Sequence, residues 1–204
     1  MKLWYSTTSP FVRKVRSVIA YHQLEQQVEL LPTVAAKAES PHNQDNPLGR
    51  IPALQTDQGE WLFNSSLIAE YLDSLGKKPP LFPQGENRWQ LLNFHAIADG
   101  IMENTLMYLG ERMLRDPAEW WHSRHQQMME RNIRSLRYLE QRLEQLGTEL
   151  NIATLYVVCV IDFFHFRLNV IGINPAEVVP HLDCWAQQMN ATYPCLASTK
   201  PYQS

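Results

Sequence analysis

The chain has 204 residues, 45% hydrophobic and 19% charged, which is enough apolar material for one large or two modest folded domains and is not the composition of a disordered chain. Its formal net charge of -3 is nowhere relieved by a basic block, so there is no electrostatic footprint for nucleic acid and no polybasic patch for an anionic membrane. The three cysteines, Cys159, Cys184 and Cys195, fit neither a disulfide framework, nor a CxxC redox pair, nor the spacing of zinc ligands.

The first residues enter a strand pattern at once, over 2–5, with no secretory h-region or cleavage site, and the cytoplasm is the expected location. Ser9-Pro10 then opens a helix whose Val12, Val15, Val18 and Ile19 share a face, the proline sitting where its missing N–H costs nothing. Strands are expected over 28–31, 52–56 and 61–63, with Asp57-Gln58-Gly59-Glu60 turning the last two into a hairpin. A helix from about Ser65 carries Ile68, Leu72 and Leu75 inward and stops at Gly76, a suitable residue just past a helix end. The order is therefore strand, helix, strand, variable segment, strand, strand, helix.

The stretch 77–83 holds Pro79, Pro80 and Pro83 and interrupts any helix, because proline lacks the backbone donor. Everything after it reads as helix. The expected organisation is a mixed α/β domain over 1–78, a linker over 79–86 and an all-helical domain over 87–204. Residues 88–115 form one long helical pattern, and 119–146 another, with Met129, Ile133, Leu136, Leu139, Leu143 and Leu146 on one stripe before Gly147. Asn151 supplies an N-cap oxygen for a third helix, with Leu150 and Leu155 placed as a hydrophobic staple. Its apolar run, 155–161 with Phe163 and Phe164, is too short to cross a bilayer and is broken by Asp162, so it is a buried core helix. Asp162 and His165, three apart, read as a local polar pair. His22, His95, His122, His125 and His181 show no metal-ligand arrangement.

Three separated segments carry chemistry. In Thr8-Ser9-Pro10-Phe11-Val12-Arg13-Lys14-Val15-Arg16 a hydroxyl stands at a strand-to-helix turn, where it serves either as a plain helix cap or as a functional group. In Asn46-Pro47-Leu48-Gly49-Arg50-Ile51-Pro52-Ala53-Leu54 an Ile-Pro bond precedes a strand. A cis bond there would turn the Ile51 backbone outward to pair with an extended peptide, whereas a trans bond would mark an ordinary strand start. In Phe63-Asn64-Ser65-Ser66-Leu67-Ile68-Ala69-Glu70-Tyr71-Leu72-Asp73 consecutive serines precede a helix, and either cap it or hold a carboxylate on their N–H groups and hydroxyls.

Together these segments resemble the glutathione S-transferase superfamily in order and spacing, and the resemblance covers essentially the whole chain. Ala98-Asp99-Gly100-Ile101-Met102 and Asn151-Ile152-Ala153-Thr154 look closest to the bacterial YibF-like branch. The resemblance implies a thioredoxin-like N-terminal domain followed by an all-helical domain, in a homodimer. It implies that Ser9 donates a hydrogen bond to the sulfur of glutathione, favouring the thiolate, and that the Ile51 backbone beside a cis Pro52 pairs with the cysteinyl part. Ser65, with Ser66, would hold the γ-glutamyl carboxylate, and Lys37 or His42 is the candidate for the glycyl carboxylate.

The activity so implied is conjugation of the glutathione thiolate to a small hydrophobic electrophile. Met102, Leu106, Tyr108, Met113, Trp120 and Trp121 are candidates to line the electrophile's site, although a stripe at helical spacing is more often core. Two rival readings are a glutathione-dependent thiol oxidoreductase or reductase, disfavoured because a hydroxyl at Ser9 forms no mixed disulfide, and a non-catalytic binding module on the same fold. The second is kept open by Asn64, which stands where many relatives carry an acidic residue and offers the γ-glutamyl ammonium a hydrogen bond without a full charge. Tyr5, at the end of the first strand, competes with Ser9 as thiol activator, with a packing role favoured for it. Asn151 and Thr154 replace the usual serine or threonine and aspartate of the core helix, so the reciprocal half of its capping box is expected to be weakened.

Overall fold

The computed structural model of the protein describes residues 1–202. It divides into two compact units, Met1–Phe82 together with the chain from Pro194 onward, and Pro83–Tyr193. In the first unit the chain runs β1 (Lys2–Tyr5), α1 (Pro10–His22), β2 (Glu29–Pro32), α2 (His42–Asp45), β3 (Ala53–Gln55), β4 (Trp61–Phe63) and α3 (Ser65–Ser74). The four strands form one sheet in the order β2-β1-β3-β4, with β1 and β2 parallel and the other pairs antiparallel. This is the thioredoxin-like arrangement that the resemblance implies. Gly59, at φ +88°, makes the turn between β3 and β4, where its N–H donates to Thr56 O at 3.0 Å.

Helices α1 and α3 pack on each other, and Val12, Val15, Val18, Ile68 and Leu72 are sealed from solvent together with Leu3 and Leu54 of the sheet. Leu75, expected to point inward, is 41% exposed, because α3 ends at Ser74 and Leu75 is already its C-cap. Gly76 follows that cap without a left-handed backbone. Its missing side chain serves a close approach instead, since a Cβ there would lie 1.9 Å from Nδ1 of His22.

His22 is held by a buried carboxylate. Its Nε2 pairs with Asp73 Oδ1 at 2.7 Å, while Leu81 N–H and Phe82 N–H donate to Oδ1 and Oδ2 at 2.8 and 3.0 Å. One aspartate thus ties the last turn of α1, the end of α3 and the proline-rich stretch, whose Leu81 and Phe82 are buried. The charge is stabilised by the hydrogen bonds that surround it, the condition under which burying a carboxylate is tolerable.

The second unit is helical: α4 (Arg88–Leu114), α5 (His122–Glu140), α6 (Leu143–Leu146), α7 (Ile152–Phe166), α8 (Leu168–Ile171), α9 (Pro175–Val178) and α10 (Pro180–Thr192). At the centre lies α7, with every residue from Ile152 to Ile161 buried, as are Phe163 and Phe164. Its N-terminus carries a complete capping box: Asn151 Oδ1 accepts from the N–H groups of Ala153 and Thr154, and Thr154 Oγ1 accepts from Asn151 N–H at 2.9 Å. The reciprocal bond expected to be weakened is therefore made by threonine in place of aspartate.

The single helix expected over 119–146 is broken. A 3₁₀ turn (Pro117–Glu119) precedes α5, and α5 closes at Gln141, after which Arg142 N–H bonds three residues back to Leu139 O and leaves the α-helical pattern. Leu136, Leu139 and Leu146 are buried as expected, while the buried methionine is Met128 and not Met129. Asn104 Nδ2 donates to Met128 O at 2.7 Å and to Asn132 Oδ1 at 2.8 Å, fastening α4 to α5. Glu140, at the end of α5, accepts from His181 N–H and Leu182 N–H at 2.9 and 3.3 Å, an anion on the otherwise uncapped start of α10.

Asp162 and His165 do not pair with each other. Asn190 Nδ2 donates to Asp162, and His165 Nε2 pairs with Asp183, so both bind α7 to α10. Met102 and Tyr108 are core, whereas Met113 and Trp121 are 56% and 68% exposed. Among the described residues no helix is long and apolar enough to cross a membrane.

The chain then returns to the first unit as α11 (Pro194–Ala197). Arg13 Nη2 donates to Leu196 O at 3.3 Å, and the hydroxyls of Ser17 and Thr199 bond at 2.7 Å. This contact buries a second face of α1, beside the valine stripe.

The His22–Gly76 approach makes a direct prediction: Gly76→Ala must displace an imidazole that Asp73 holds in place. The substitution should destabilise the protein by about 1–3 kcal/mol, read as a lowered urea midpoint with unchanged m-value, and an unshifted midpoint would show that the ring yields freely.

Candidate functional site

Trp4, Ala53 and Phe63 lie side by side across β1, β3 and β4. Because β3 runs antiparallel to both neighbours, the segment leaving β1, the segment entering β3 and the segment leaving β4 all meet the sheet at one end. Those segments are 6–9, 50–52 and 64–66, the ones that carry the sequence-predicted residues. Both α1 and α3 also begin there, so two helix N-termini direct partial positive charge to the same region.

At the first segment Ser9 is the N-cap of α1, in extended conformation, and its Oγ accepts from Val12 N–H at 3.3 Å. A serine hydroxyl has one proton and two lone pairs. The long cap bond uses one lone pair and leaves the proton available to an outside acceptor. Tyr5 is half-buried, with the Arg16 guanidinium 6.0 Å from its ring centroid.

At the second segment Ile51 and Pro52 are buried and the bond between them is cis. The loop that delivers them is shaped by Asn46, itself buried, whose Nδ2 donates to Arg50 O at 2.6 Å and whose Oδ1 accepts from Leu48 N–H at 2.9 Å. Gly49, at φ +59°, supplies the left-handed turn between these two contacts.

At the third segment Asn64 is the N-cap of α3, and its Oδ1 accepts from Ser66 N–H at 2.8 Å. Its φ of +75° with ψ of +123° lies outside the left-handed well, where side chains are rarely found. Strained backbone of this kind tends to persist at functional positions. Ser65 is buried and Ser66 half-buried. Ser66 Oγ accepts from Lys14 Nζ at 3.0 Å, and Lys14 is 0% exposed.

The variable segment is fastened to the sheet nearby. Trp4 Nε1 donates to Asp45 Oδ2 at 2.7 Å, and His42, fully buried, pairs through Nδ1 with Thr33 Oγ1 at 3.0 Å. Lys37 is the exposed member of the Lys37–His42 alternative. No cysteine falls in the three segments, and burial pushes the Cys195 thiol up, away from the reactive thiolate. Among the described residues no group of three or more His, Cys, Asp or Glu side chains could hold a metal ion.

The arrangement offers a hydroxyl donor on one helix N-terminus and paired serines on another, with an extended backbone segment between them. Such a set can stabilise a soft anion at one place and a carboxylate at a second. Lys14 and Asn46 escaped the sequence reading. Nothing in the pattern separates a buried helical lysine from a solvated one, although Lys14 does adjoin the apolar position Val15.

Residues 8–75 match the family described as glutathione S-transferase, N-terminal domain. The chain is 34% identical over 173 residues to the uncharacterized glutathione S-transferase-like protein YibF of Escherichia coli, covering 82% of this chain and 83% of that one. Among solved structures, a glutathione transferase family member from Pseudomonas fluorescens Pf-5 with bound glutathione superposes with a TM-score of 0.91 at 31% identity, over 99% of each chain. A glutathione S-transferase from Methylobacillus flagellatus with glutathione bound gives a TM-score of 0.88 at 28% identity, over 98% of this chain and 99% of that one. With the sheet, the segment order and these likenesses in agreement, the chain belongs to the glutathione S-transferase superfamily, in its YibF-like branch.

Proposed function

We propose that the protein is a glutathione transferase, which binds glutathione at the common end of β1, β3 and β4 and transfers its thiolate to a small hydrophobic electrophile in the cytoplasm. The observation that carries this reading is the alignment of Trp4, Ala53 and Phe63. Two interstrand spacings amount to about 10 Å, and an extended tripeptide is about 10 Å long. One such ligand reaches from the Ser9 hydroxyl to the serines of α3 with the Ile51 backbone between, and the solved relatives crystallised with glutathione support that choice of tripeptide.

In this reading the sulfur sits at the start of α1 and accepts the Ser9 proton that the cap leaves available. A free thiol has a pKa of about 8.5. A hydrogen bond to the charged form, with the positive end of α1 behind it, lowers that value and raises the thiolate fraction near neutral pH. The electrophile then takes the sulfur lone pair and its leaving group departs, or a conjugated double bond accepts the pair and is protonated by solvent. The γ-glutamyl carboxylate lies at the N-terminus of α3 with Ser65 and Ser66, and Asn64 beside it faces the ammonium.

A thiol-disulfide mechanism finds no support, because none of the three cysteines lies in the three segments. A binding module without turnover is the reading that Asn64 favours, since an amide already engaged in capping α3 gives the ligand's ammonium no charge. We also propose a homodimer, for which sedimentation equilibrium at micromolar concentration should return twice the 23.7 kDa chain mass.

Two substitutions test the chemistry. Ser9→Ala should reduce kcat/KM across an electrophile panel at least about tenfold and move the rising limb of the pH–rate profile upward, because the lost donor favoured the thiolate. Tyr5→Phe should leave both nearly unchanged, and the opposite pattern would transfer the role to Tyr5. Asn64→Asp keeps the capping oxygen and adds a charge, so it should tighten glutathione by about threefold to tenfold in calorimetry. A wild-type protein that binds no glutathione and conjugates no member of the panel would end the transferase reading.

A further inference from the structure

Asn46 closes α2, is 1% exposed, and uses both its backbone and its side chain inside the loop that runs to β3. Its backbone N–H donates to His42 O at 2.8 Å, and its backbone carbonyl accepts from Gly49 N–H at 2.9 Å. Its side chain reaches further along the same loop, accepting from Leu48 N–H through Oδ1 at 2.9 Å and donating through Nδ2 to Arg50 O at 2.6 Å. The amide can face only one way, because a backbone N–H donates and a backbone carbonyl accepts. Aspartate would fill the same space without a donor for Arg50 O.

The Arg50 carbonyl and the Ile51 N–H belong to one trans, planar peptide unit, so they point in opposite directions. Holding the carbonyl toward Asn46 therefore aims the N–H away from it. Ile51 is 8% exposed, and no hydrogen bond among the described residues uses its N–H. Covered backbone donors are rarely left without an acceptor, and an acceptor from outside the chain meets that need.

We infer that Asn46 is a positioning residue for the peptide part of the ligand: by holding the Arg50 carbonyl it orients the Ile51 N–H to donate to the cysteinyl carbonyl of glutathione. The inference rests on the glutathione-binding reading above. A donor already set in direction has little freedom left to lose when the ligand arrives, so its bond is made at small entropic cost. The loop is also tied to the sheet, since Asp45, the neighbour of Asn46, accepts from Trp4 Nε1 at 2.7 Å. Trp4 lies in β1, the strand that leads to Ser9. The donor for the cysteinyl carbonyl and the donor for the cysteinyl sulfur are thus both referred to one strand.

The test is calorimetric titration with glutathione and with two shorter probes, γ-glutamylcysteinamide and γ-glutamylcysteamine, which differ only in the carboxamide that contains the cysteinyl carbonyl. Asn46→Asp keeps the size of the side chain and the acceptor for Leu48 N–H but loses the donor to Arg50 O. It should weaken glutathione and γ-glutamylcysteinamide about tenfold and leave γ-glutamylcysteamine unchanged. Asn46→Ala, which brings no charge, should show the same selective loss. Equal weakening of all three probes, or no weakening of any, would overturn the inference while leaving glutathione binding intact. The wild-type protein supplies a second measurement that does not depend on either variant folding: glutathione should slow exchange of the Ile51 amide proton at least about tenfold. An Ile51 amide that exchanges as fast with glutathione bound as without it would also overturn the inference. Absence of glutathione binding by the wild-type protein would instead overturn the parent reading, and this one with it.

Discussion

The alignment of Trp4, Ala53 and Phe63 across three strands is the constraint from which the rest of the first unit follows. In a sheet, a one-residue slip inverts every side chain, and Leu3 and Leu54, paired directly and both sealed from solvent, make such a slip prohibitive. Register in turn decides where the strands end. That brings the start of α1, the Ile51-Pro52 backbone and the start of α3 to one end of the sheet, although the sequence separates them by tens of residues.

A second layer of control comes from polar groups inside the same unit. Asp73 gathers His22 and the backbone of Leu81 and Phe82, while Lys14 reaches Ser66 and Arg13 reaches Leu196. Two of these contacts join α1 to α3, at its start and at its end, and the third joins α1 to α11. Hydrophobic burial would let the helix slide along a greasy surface at small cost, whereas buried charges that lose a partner are expensive. The helix that carries Ser9 is thereby held in one position. The helical unit uses the same device, with Asn104, Asn132 and Glu140 fastening helices that surround an almost wholly apolar α7.

Much of this was legible in the residues. Alternation and turn chemistry marked the strands, Ser9-Pro10 and Asn151 marked two helix starts, and β4 was expected at the bounds it has. The misreadings share one cause. Leu75, Met129 and the continuous helix over 119–146 were inferred from periodicity, and periodicity continues through a local break such as the one at Gln141 and Arg142. The Asp162–His165 pairing failed in a related way: two residues three apart on a helix share a face, but that face met α10, whose Asn190 and Asp183 were the stronger partners.

The residues alone determined the element types, their order and the family, because these depend on local spacing and on motifs that survive without knowledge of distant contacts. Tertiary structure alone decided which polar side chains are buried and what they touch. A lysine, a histidine and a glycine look alike in sequence whether solvated or enclosed, so neither the Lys14–Ser66 bond nor the fit of His22 against Gly76 could be read in advance. The same holds for the return of the chain's last helix to α1, where Ser17 meets Thr199. Such contacts join residues far apart in the chain, and their energies exist only once the intervening chain has folded to bring them within reach.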